Sequence, residues 1–441
     1  MIETLNFHVE PGGRLLGDVR VPGDKSISHR AVMLGAIAEG VTRVDGFLQA
    51  QDALATLKAF RSMGVKIENT KGGQIIVHGV GLHGLSAPNQ PLDFGNSGTA
   101  MRLMAGLLSG QSFDSLLIGD RSLSKRPMLR ITDPLKRMGA AIDTEPSGTA
   151  PISIRGNSHL SAIEYTMPVA SAQIKSCLLL AAMYAKGSTC IIEPAPSRDH
   201  TERMLNGMAY PVRVEGNQIS TSNGGKLIAT NIDIPADISS AAFFIVGASI
   251  SEGSDIILRH VGINPTRAGL IDILRMMGAS IEMFDRCDVG GEPVADIRVK
   301  SAKLRGVRIP EYLVPSAIDE FPVLFVAAAC ADGETLLTGA SELRVKESDR
   351  IDVMAKGLQR LGVDACSLDD GIRIRGGSIS GGCIDSHGDH RIAMSFATAA
   401  LVATDAVEII DCNNVDTSFP DFIGMAQNLG LKIESLKVSE R

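Results

Sequence analysis

Phe60-Arg61-Ser62-Met63-Gly64-Val65-Lys66-Ile67-Glu68 carries the punctuation that decides the fold. An amphipathic helical segment ends at Met63, a glycine follows, and a short strand begins. Glycine suits the residue just past a helix end, because the left-handed conformation needed there costs it nothing. The same punctuation returns in Leu135-Lys136-Arg137-Met138-Gly139-Ala140-Ala141-Ile142 and in Leu274-Arg275-Met276-Met277-Gly278-Ala279-Ser280-Ile281. It returns again in Leu358-Gln359-Arg360-Leu361-Gly362-Val363 and Gln427-Asn428-Leu429-Gly430-Leu431-Lys432-Ile433. A degenerate copy, Leu205-Asn206-Gly207-Met208-Ala209, has alanine in the glycine's place. The landmarks 64, 139, 209, 278, 362 and 430 lie 68 to 84 residues apart. Six matches at similar spacing establish an internal repeat.

A second landmark lies upstream of each. Gly40, Gly110, Gly187, Gly253 and Gly333 each close an apolar helix and open a short strand, and the sixth copy has Thr404-Asp405 there. Each copy therefore reads helix, strand, helix, strand, with further short strands before the next. The first helix of each copy is apolar on nearly all sides, which predicts burial along its whole length. The polar starts of these helices are Lys25-Ser26-Ile27-Ser28, Asn96-Ser97-Gly98-Thr99, Ser171-Ala172-Gln173, Asp237-Ile238-Ser239-Ser240, Ser316-Ala317-Ile318-Asp319 and Gly388-Asp389-His390-Arg391. Helix capping accounts for Asp237 and Ser239. It does not account for the lysine, arginine or carboxylate beside four of the six. Three copies per domain are expected: residues 23–237 form one domain, and 1–22 joins 238–441 in the other. The glycine-bearing stretch from Ser222 to Pro235 is the predicted crossing.

Composition bounds the function. A chain of 441 residues exceeds what one hydrophobic core usually supports. With 44% hydrophobic and 21% charged residues it reads as an ordinary globular protein. No tryptophan and four tyrosines leave no aromatic platform for single-stranded nucleic acid, and a net charge of −7 disfavours nonspecific nucleic-acid binding. Any anion site must be local. Seven scattered cysteines without a Cys-x-x-Cys fit a reducing cytoplasm. The start Met1-Ile2-Glu3-Thr4-Leu5-Asn6-Phe7-His8 lacks the features of a signal peptide, and runs such as Ala241–Val246 are too short to span a membrane.

The stretch Val21-Pro22-Gly23-Asp24-Lys25-Ser26-Ile27-Ser28-His29-Arg30 turns into the first buried helix, with Ser26 or Ser28 as candidate cap. Unpaired N–H groups at a helix start, beside Lys25 and Arg30, suit a phosphate or carboxylate. Known nucleotide motifs are missing: Asp24 stands where a phosphate loop needs glycine, and no Gly-x-Gly-x-x-Gly opens a helix after a strand. His387 and His390 lack a third nearby metal ligand, and Ser97 is not in a nucleophile elbow. The densest charge cluster, Glu342-Leu343-Arg344-Val345-Lys346-Glu347-Ser348-Asp349-Arg350, reads locally as an exposed helix with i,i+4 pairs such as Glu342 with Lys346. Asp319 sits against Phe321-Pro322-Val323-Leu324-Phe325, where a carboxylate is costly unless paired. A paired cap and a tuned acid or base are both open at that position.

Five motifs in order, Val21–Arg30, Gly95-Asn96-Ser97-Gly98-Thr99-Ala100-Met101-Arg102, Lys125-Arg126-Pro127, Arg344–Arg350 and Asp389-His390-Arg391, closely resemble the 5-enolpyruvylshikimate-3-phosphate synthase family. The resemblance runs along nearly the whole chain. It implies an α/β fold of the α+β type: two similar domains, each of three βαβαββ units, with buried helices whose N-termini face an interdomain cleft. The implied reaction moves the enolpyruvyl group of phosphoenolpyruvate to the 5-hydroxyl of shikimate 3-phosphate, by addition and elimination. Acid–base groups and anion clamps suffice for this, so no metal or organic cofactor is expected. By the same resemblance, Asp319 is the principal base, Glu347 its partner at the pyruvyl carbon, and Lys25 touches both substrates. Lys25, Gly98, Arg126, Gln173, Arg350 and Arg391 are the implied phosphoenolpyruvate residues. Lys25, Ser26, Arg30, Ser171, Ala172, Gln173, Arg198, Asp319 and Lys346 are those implied for shikimate 3-phosphate. The expected partners are these small molecules, with no nucleic acid and no membrane, and the expected state is a monomer whose halves close on substrate.

One departure stands out. Asp416-Thr417-Ser418-Phe419-Pro420 has no lysine where many members carry one, and Arg198-Asp199-His200-Thr201-Glu202 resembles the phosphate-binding motif of the class II branch. Gly98 is associated with glyphosate sensitivity, so for that inhibitor the two signals oppose each other. Two rival readings remain. A sister enzyme acting on a UDP-linked amino sugar needs a cysteine or aspartate acid near Lys125-Arg126-Pro127, and no cysteine precedes Cys177. A repeat scaffold for partners predicts charges spread over exposed faces, not gathered at helix starts.

Overall fold

The computed structural model describes residues 3–70, 73–156 and 159–439. The fold is mixed α/β, and its helix pairs follow the repeat. Helices α1 (Lys25–Ile37) and α2 (Gln51–Ser62), α3 (Gly98–Leu108) and α4 (Leu129–Arg137), and α5 (Ala172–Ala182) and α6 (His200–Gly207) belong to the first three copies. The fourth copy has α7 (Ile238–Ile250) and α8 (Gly269–Met276). A single turn, α9 (Val314–Ala317), precedes α10 (Phe321–Ala329) and α11 (Arg350–Arg360), and α12 (His390–Ala399) and α13 (Phe422–Leu429) close the series.

Each copy adds one small sheet of the same order. In the first, Ile232–Asp233 runs parallel to Glu39–Asp45, which pairs antiparallel with Ile75–Val80, which in turn pairs antiparallel with Lys66–Asn69. The sixth sheet takes a strand from the chain start: Glu3–Val9 lies antiparallel to both Val407–Ile410 and Ile433–Ser439. Leu16–Val19 leads the fourth sheet, parallel to Asp255–Gly262. The fifth has three strands, with an isolated parallel bridge from Arg308 to Leu336 in place of the leading one.

By contacts the chain divides into two compact units. One, here the first-half unit, holds Gly23–Pro235 and Asp288–Glu292; the second-half unit holds Met1–Pro22, Ala236–Cys287 and Pro293–Arg441. Met1, Ile2, Glu440 and Arg441, at the ends of the expected division, lie outside the described residues. Within each unit the first helices pack on one another, α3 on α5 in one and α10 on α7 and α12 in the other. Every residue of α10 is buried, as is all of α7 up to Ser249. Burying each large apolar side chain contributes roughly 1.5–3 kcal/mol, so these helices hold the units together. The α3–α5 approach requires Gly106, where a Cβ would lie 2.0 Å from the Cys177 carbonyl oxygen. Among the described residues no single helix is long and apolar enough to cross a membrane.

Two readings of helix starts need correction. Asp24, not Ser26 or Ser28, caps α1, accepting from the Ile27 N–H at 2.8 Å, and both serines lie inside the helix. The fifth copy's buried helix begins at Phe321, after the separate turn α9, so Asp319 precedes it without capping it.

The repeat landmarks are conformationally alike. Gly64, Gly139, Gly278, Gly362 and Gly430 have φ between 83° and 115°, and Ala209 matches them at 62°. The degenerate copy therefore makes the same turn with a residue that the left-handed region penalises. Ala209 is exposed, so its methyl group contributes little packing. Ala209→Gly is expected to raise stability by about 0.5–1 kcal/mol, read as a higher urea midpoint at unchanged slope. A lower midpoint would show that the turn is not strained.

Candidate active site

In the first-half unit the chemistry begins at Lys25, the first residue of α1. Its Nζ lies 2.5 Å from Asp52 Oδ2, on the first turn of α2. One turn on, Arg30 is buried and faces the protein: Nε donates to Thr201 Oγ1 at 2.7 Å, Nη2 to Ser176 Oγ at 2.7 Å, and Nη1 to the Ser26 carbonyl at 2.9 Å. Burial above all brings the Arg30 pKa down to about 10, against the pull of Glu202 and Asp24 and helped by the like charge of Arg198. It remains a cation near neutrality, with a second guanidinium close enough to repel it. Such a pair is a natural place for a dianion. His29 is neutral, since burial above all, with the charges of Lys25 and Arg30, pushes its pKa down to about 3.

The second and third copies add to this face. Ser97 caps α3, and Gly98 opens it. A Cβ on Gly98 would lie 3.0 Å from Arg102 Nη1 and 3.3 Å from Arg126 Nη1. Arg126 follows the 3₁₀ turn Leu123–Lys125 and donates from Nη2 to Asn96 Oδ1 at 2.6 Å. Ser171 caps α5 and Ala172 opens it. Gln173 accepts from Arg102 Nη1 at 2.7 Å and donates to Thr99 Oγ1 at 2.9 Å, so both ends of its amide are oriented.

The second-half unit gathers carboxylates and cations together. Asp319 Oδ1 accepts from Lys346 Nζ at 3.1 Å and lies 3.6 Å from Arg350 Nη1, while its backbone carbonyl accepts from Arg391 Nη1 at 2.9 Å. Arg350 has 1% side-chain exposure and donates from Nε to Asp389 Oδ2 at 2.8 Å and from Nη2 to Glu347 Oε2 at 2.7 Å. Its Nη1, also buried, makes no hydrogen bond among the described residues. Burial opposes the Arg350 charge, but Asp389, Glu347 and Asp319 outweigh it and raise its pKa. Burial likewise works against the Asp389 anion, yet Arg350 holds that carboxyl below its usual range. Behind Asp319, fully buried Glu320 accepts from Ser239 Oγ and lies 3.6 Å from Arg391 Nη1 and 3.8 Å from Arg267 Nη2.

The segment 342–350 is not the exposed helix that its charge spacing suggests. It is a 3₁₀ turn, Ser341–Val345, then extended chain at Lys346, then α11 from Arg350 with Asp349 as cap. That turn occupies the place in its copy that Leu123–Lys125 occupies in the second. The connections leading to second helices thus supply a further set of groups, Arg126, Arg198, Lys346 and Glu347, and Asp52 stands on the first turn of α2 itself. Asp319, Lys346, Glu347, Arg350 and Arg391 come together in one unit. In the other, Arg30 neighbours Arg198, Gly98 neighbours Arg126, and Ser26, Ser171 and Ala172 stand at helix starts. Sequence reasoning missed Asp52, Arg102, Glu320 and the role of Asp389. Of these, Arg102 and Asp389 carried a signal, each lying within a quoted motif. Among the described residues no group of three or more His, Cys, Asp or Glu is placed to hold a metal.

Comparison with known proteins agrees over the whole chain. The model of the family described as EPSP synthase (3-phosphoshikimate 1-carboxyvinyltransferase) matches residues 9–425. A 3-phosphoshikimate 1-carboxyvinyltransferase of Methylococcus capsulatus is 65% identical over 428 residues, covering 97% of this chain and 98% of that protein. Its counterpart in Alkalilimnicola ehrlichii is 64% identical over 430 residues, covering 97% and 96%. Among solved structures, the EPSP synthase of Acinetobacter baumannii superimposes with a TM-score of 0.89 at 55% identity, covering 98% of this chain and all of that one. On these likenesses the chain belongs to the EPSP synthase family.

Proposed function

We infer that this chain transfers the enolpyruvyl group of phosphoenolpyruvate to the 5-hydroxyl of shikimate 3-phosphate and releases phosphate, as the enzymes of its family do. The observation that carries this reading is the buried Arg350 Nη1, left without a hydrogen-bond partner beside Asp319 and flanked by Lys346 and Arg391. A buried donor without a partner is costly, and a substrate anion supplies the missing acceptor.

The chemistry follows from the groups present. Asp319 takes the proton from the 5-hydroxyl as its oxygen attacks the C2 carbon of phosphoenolpyruvate, and a proton is delivered to the C3 methylene. Glu347, fixed by Arg350, stands for that transfer and for its reversal, when a methyl proton leaves and phosphate departs. Arg350 and Arg391, with Arg126 from the first-half unit, hold the carboxylate and phosphate, and Lys25 stabilises charge on the departing phosphate. Gln173, Ser26, Ser171, Ala172, Arg30 and Arg198 serve shikimate 3-phosphate. Arg198 and the missing lysine before Ser418-Phe419-Pro420 support the class II branch. Free thiols at all seven cysteines suit a reducing cytoplasm, and we assign a monomer.

Purified protein is expected to release phosphate from phosphoenolpyruvate with shikimate 3-phosphate, without added metal. Release with a UDP-linked amino sugar but not with this acceptor would overturn the assignment. Asp319→Asn is expected to lower kcat by roughly 10²–10⁴-fold with both KM values little changed. A change confined to KM would make Asp319 a binding residue. Gly98→Ala pushes a methyl group against Arg102 and Arg126, and should raise KM for phosphoenolpyruvate by about tenfold. An equal rise for both substrates would argue against Arg126 as a phosphoenolpyruvate clamp.

A further inference from the structure

One buried charge cluster lies outside the groups used so far. Lys175, one turn into α5, has 1% side-chain exposure and sits among Cys177, Leu178 and Leu179. Its Nζ reaches Glu202 Oε1 on α6 at 2.7 Å, Glu193 Oε2 at 3.1 Å and the Ser197 carbonyl at 3.3 Å. Ser197 in turn donates from Oγ to Glu193 Oε2 at 2.7 Å. Glu202 keeps Oε2 buried without a hydrogen bond, and burial raises its pKa. Two carboxylates around one lysine make a poor device for stability. A buried ion pair is usually no better than apolar packing of the same volume.

What the cluster does specify is geometry. It joins α5, α6 and the end of the strand Ser188–Ile192 to one residue, Ser197, whose backbone and side chain are both held. Ser197 directly precedes Arg198. On the other side, Asp199 Oδ2 accepts from Arg203 Nε at 2.8 Å, and His200 Nδ1 bonds Glu292 Oε1 at 2.7 Å. The loop Pro194-Ala195-Pro196 leading in has two residues of fixed φ. The same network extends to Arg30, which bonds Ser176 and Thr201, the neighbours of Lys175 and Glu202 in sequence. Arg198 is thus carried on a rigid mount, close enough to Arg30 for the two charges to act on each other.

We propose that Lys175, Glu193 and Ser197 are positioning residues that fix Arg198 for the phosphate group of shikimate 3-phosphate. This rests on the function inferred above. Loosening the mount weakens one substrate selectively, because the groups at Asp319 belong to the other unit.

The test uses the full chain and both substrates. Ser197→Ala and Glu193→Gln are each expected to raise KM for shikimate 3-phosphate about fivefold or more, with kcat and KM for phosphoenolpyruvate within twofold. Ser197→Thr, which keeps the hydroxyl, should stay near the parent. Arg198→Ala should raise the same KM by roughly 10–100-fold, and adding Ser197→Ala to it should do nothing further. If Arg198→Ala raises that KM while Ser197→Ala does not, the mount is irrelevant and the proposal fails alone. An additive double variant, or a parallel rise in both KM values, also overturns it. An unchanged KM in Arg198→Ala removes Arg198 from the site and the proposal with it. The inferred activity falls only if the parent protein releases no phosphate from this pair. Should Glu193→Gln not fold, Ser197→Ala, which leaves every buried charge in place, still decides.

Discussion

A helix buried along its whole length leaves one problem to its sequence: the first N–H groups have no partner inside the helix and little access to water. In this chain five of the six first helices meet it with a short acceptor side chain, Asp24, Ser97, Ser171, Asp237 or Asp389. The apolar bodies beyond admit no chemistry, so polar function is confined to the ends. The exception is α10, whose Glu320 makes no capping bond. There the carboxylates are turned to other partners, Asp319 to Lys346 and Glu320 to Ser239. The start that departs from the capping rule is the one that holds the proposed base.

Buried charge sets the second constraint. Arg350 has almost no exposure, and removing a partner from such a cation typically costs about 3–5 kcal/mol. Asp389 therefore serves two demands with one carboxylate, capping α12 and neutralising Arg350. With Nε and Nη2 committed to Asp389 and Glu347, the guanidinium plane is fixed and Nη1 has one direction left. Donors fixed in this way cost nothing to reorganise when charge develops on a substrate.

The repeat was legible because its signals are local. A helix period, a left-handed residue and an apolar helix with a polar start can each be read within about twenty residues, and even Ala209 keeps the turn of its glycine counterparts. The helix starts could be read as anion sites for the same reason. Contacts across copies could not. Arg30 reads as a free cation, yet its partners Thr201 and Ser176 lie in the third copy. Asp52 shows no sign in sequence that Lys25 will meet it. The segment 342–350 misleads because its charges are spaced as on a helix, whereas the chain there breaks to present Lys346 and Glu347 separately. The place of Glu3–Val9 in the sixth sheet depends on pairing with strands some four hundred residues away.

The two units share a plan but not a chemistry. In the first-half unit the named groups are cations, hydroxyls and an amide: Lys25, Arg30, Arg126, Arg198, Ser171 and Gln173. The second-half unit sets Asp319 and Glu347 among Lys346, Arg350 and Arg391. The fold permits this divergence because its demand at each helix start is only for an acceptor. Serine meets it without charge, leaving nearby cations to a ligand. Aspartate meets it with charge, and then a buried arginine such as Arg350 or Arg267 can be kept beside it. The copy with the proposed base goes further: its buried helix has no capping side chain, and Asp319 is held among cations by Lys346 instead.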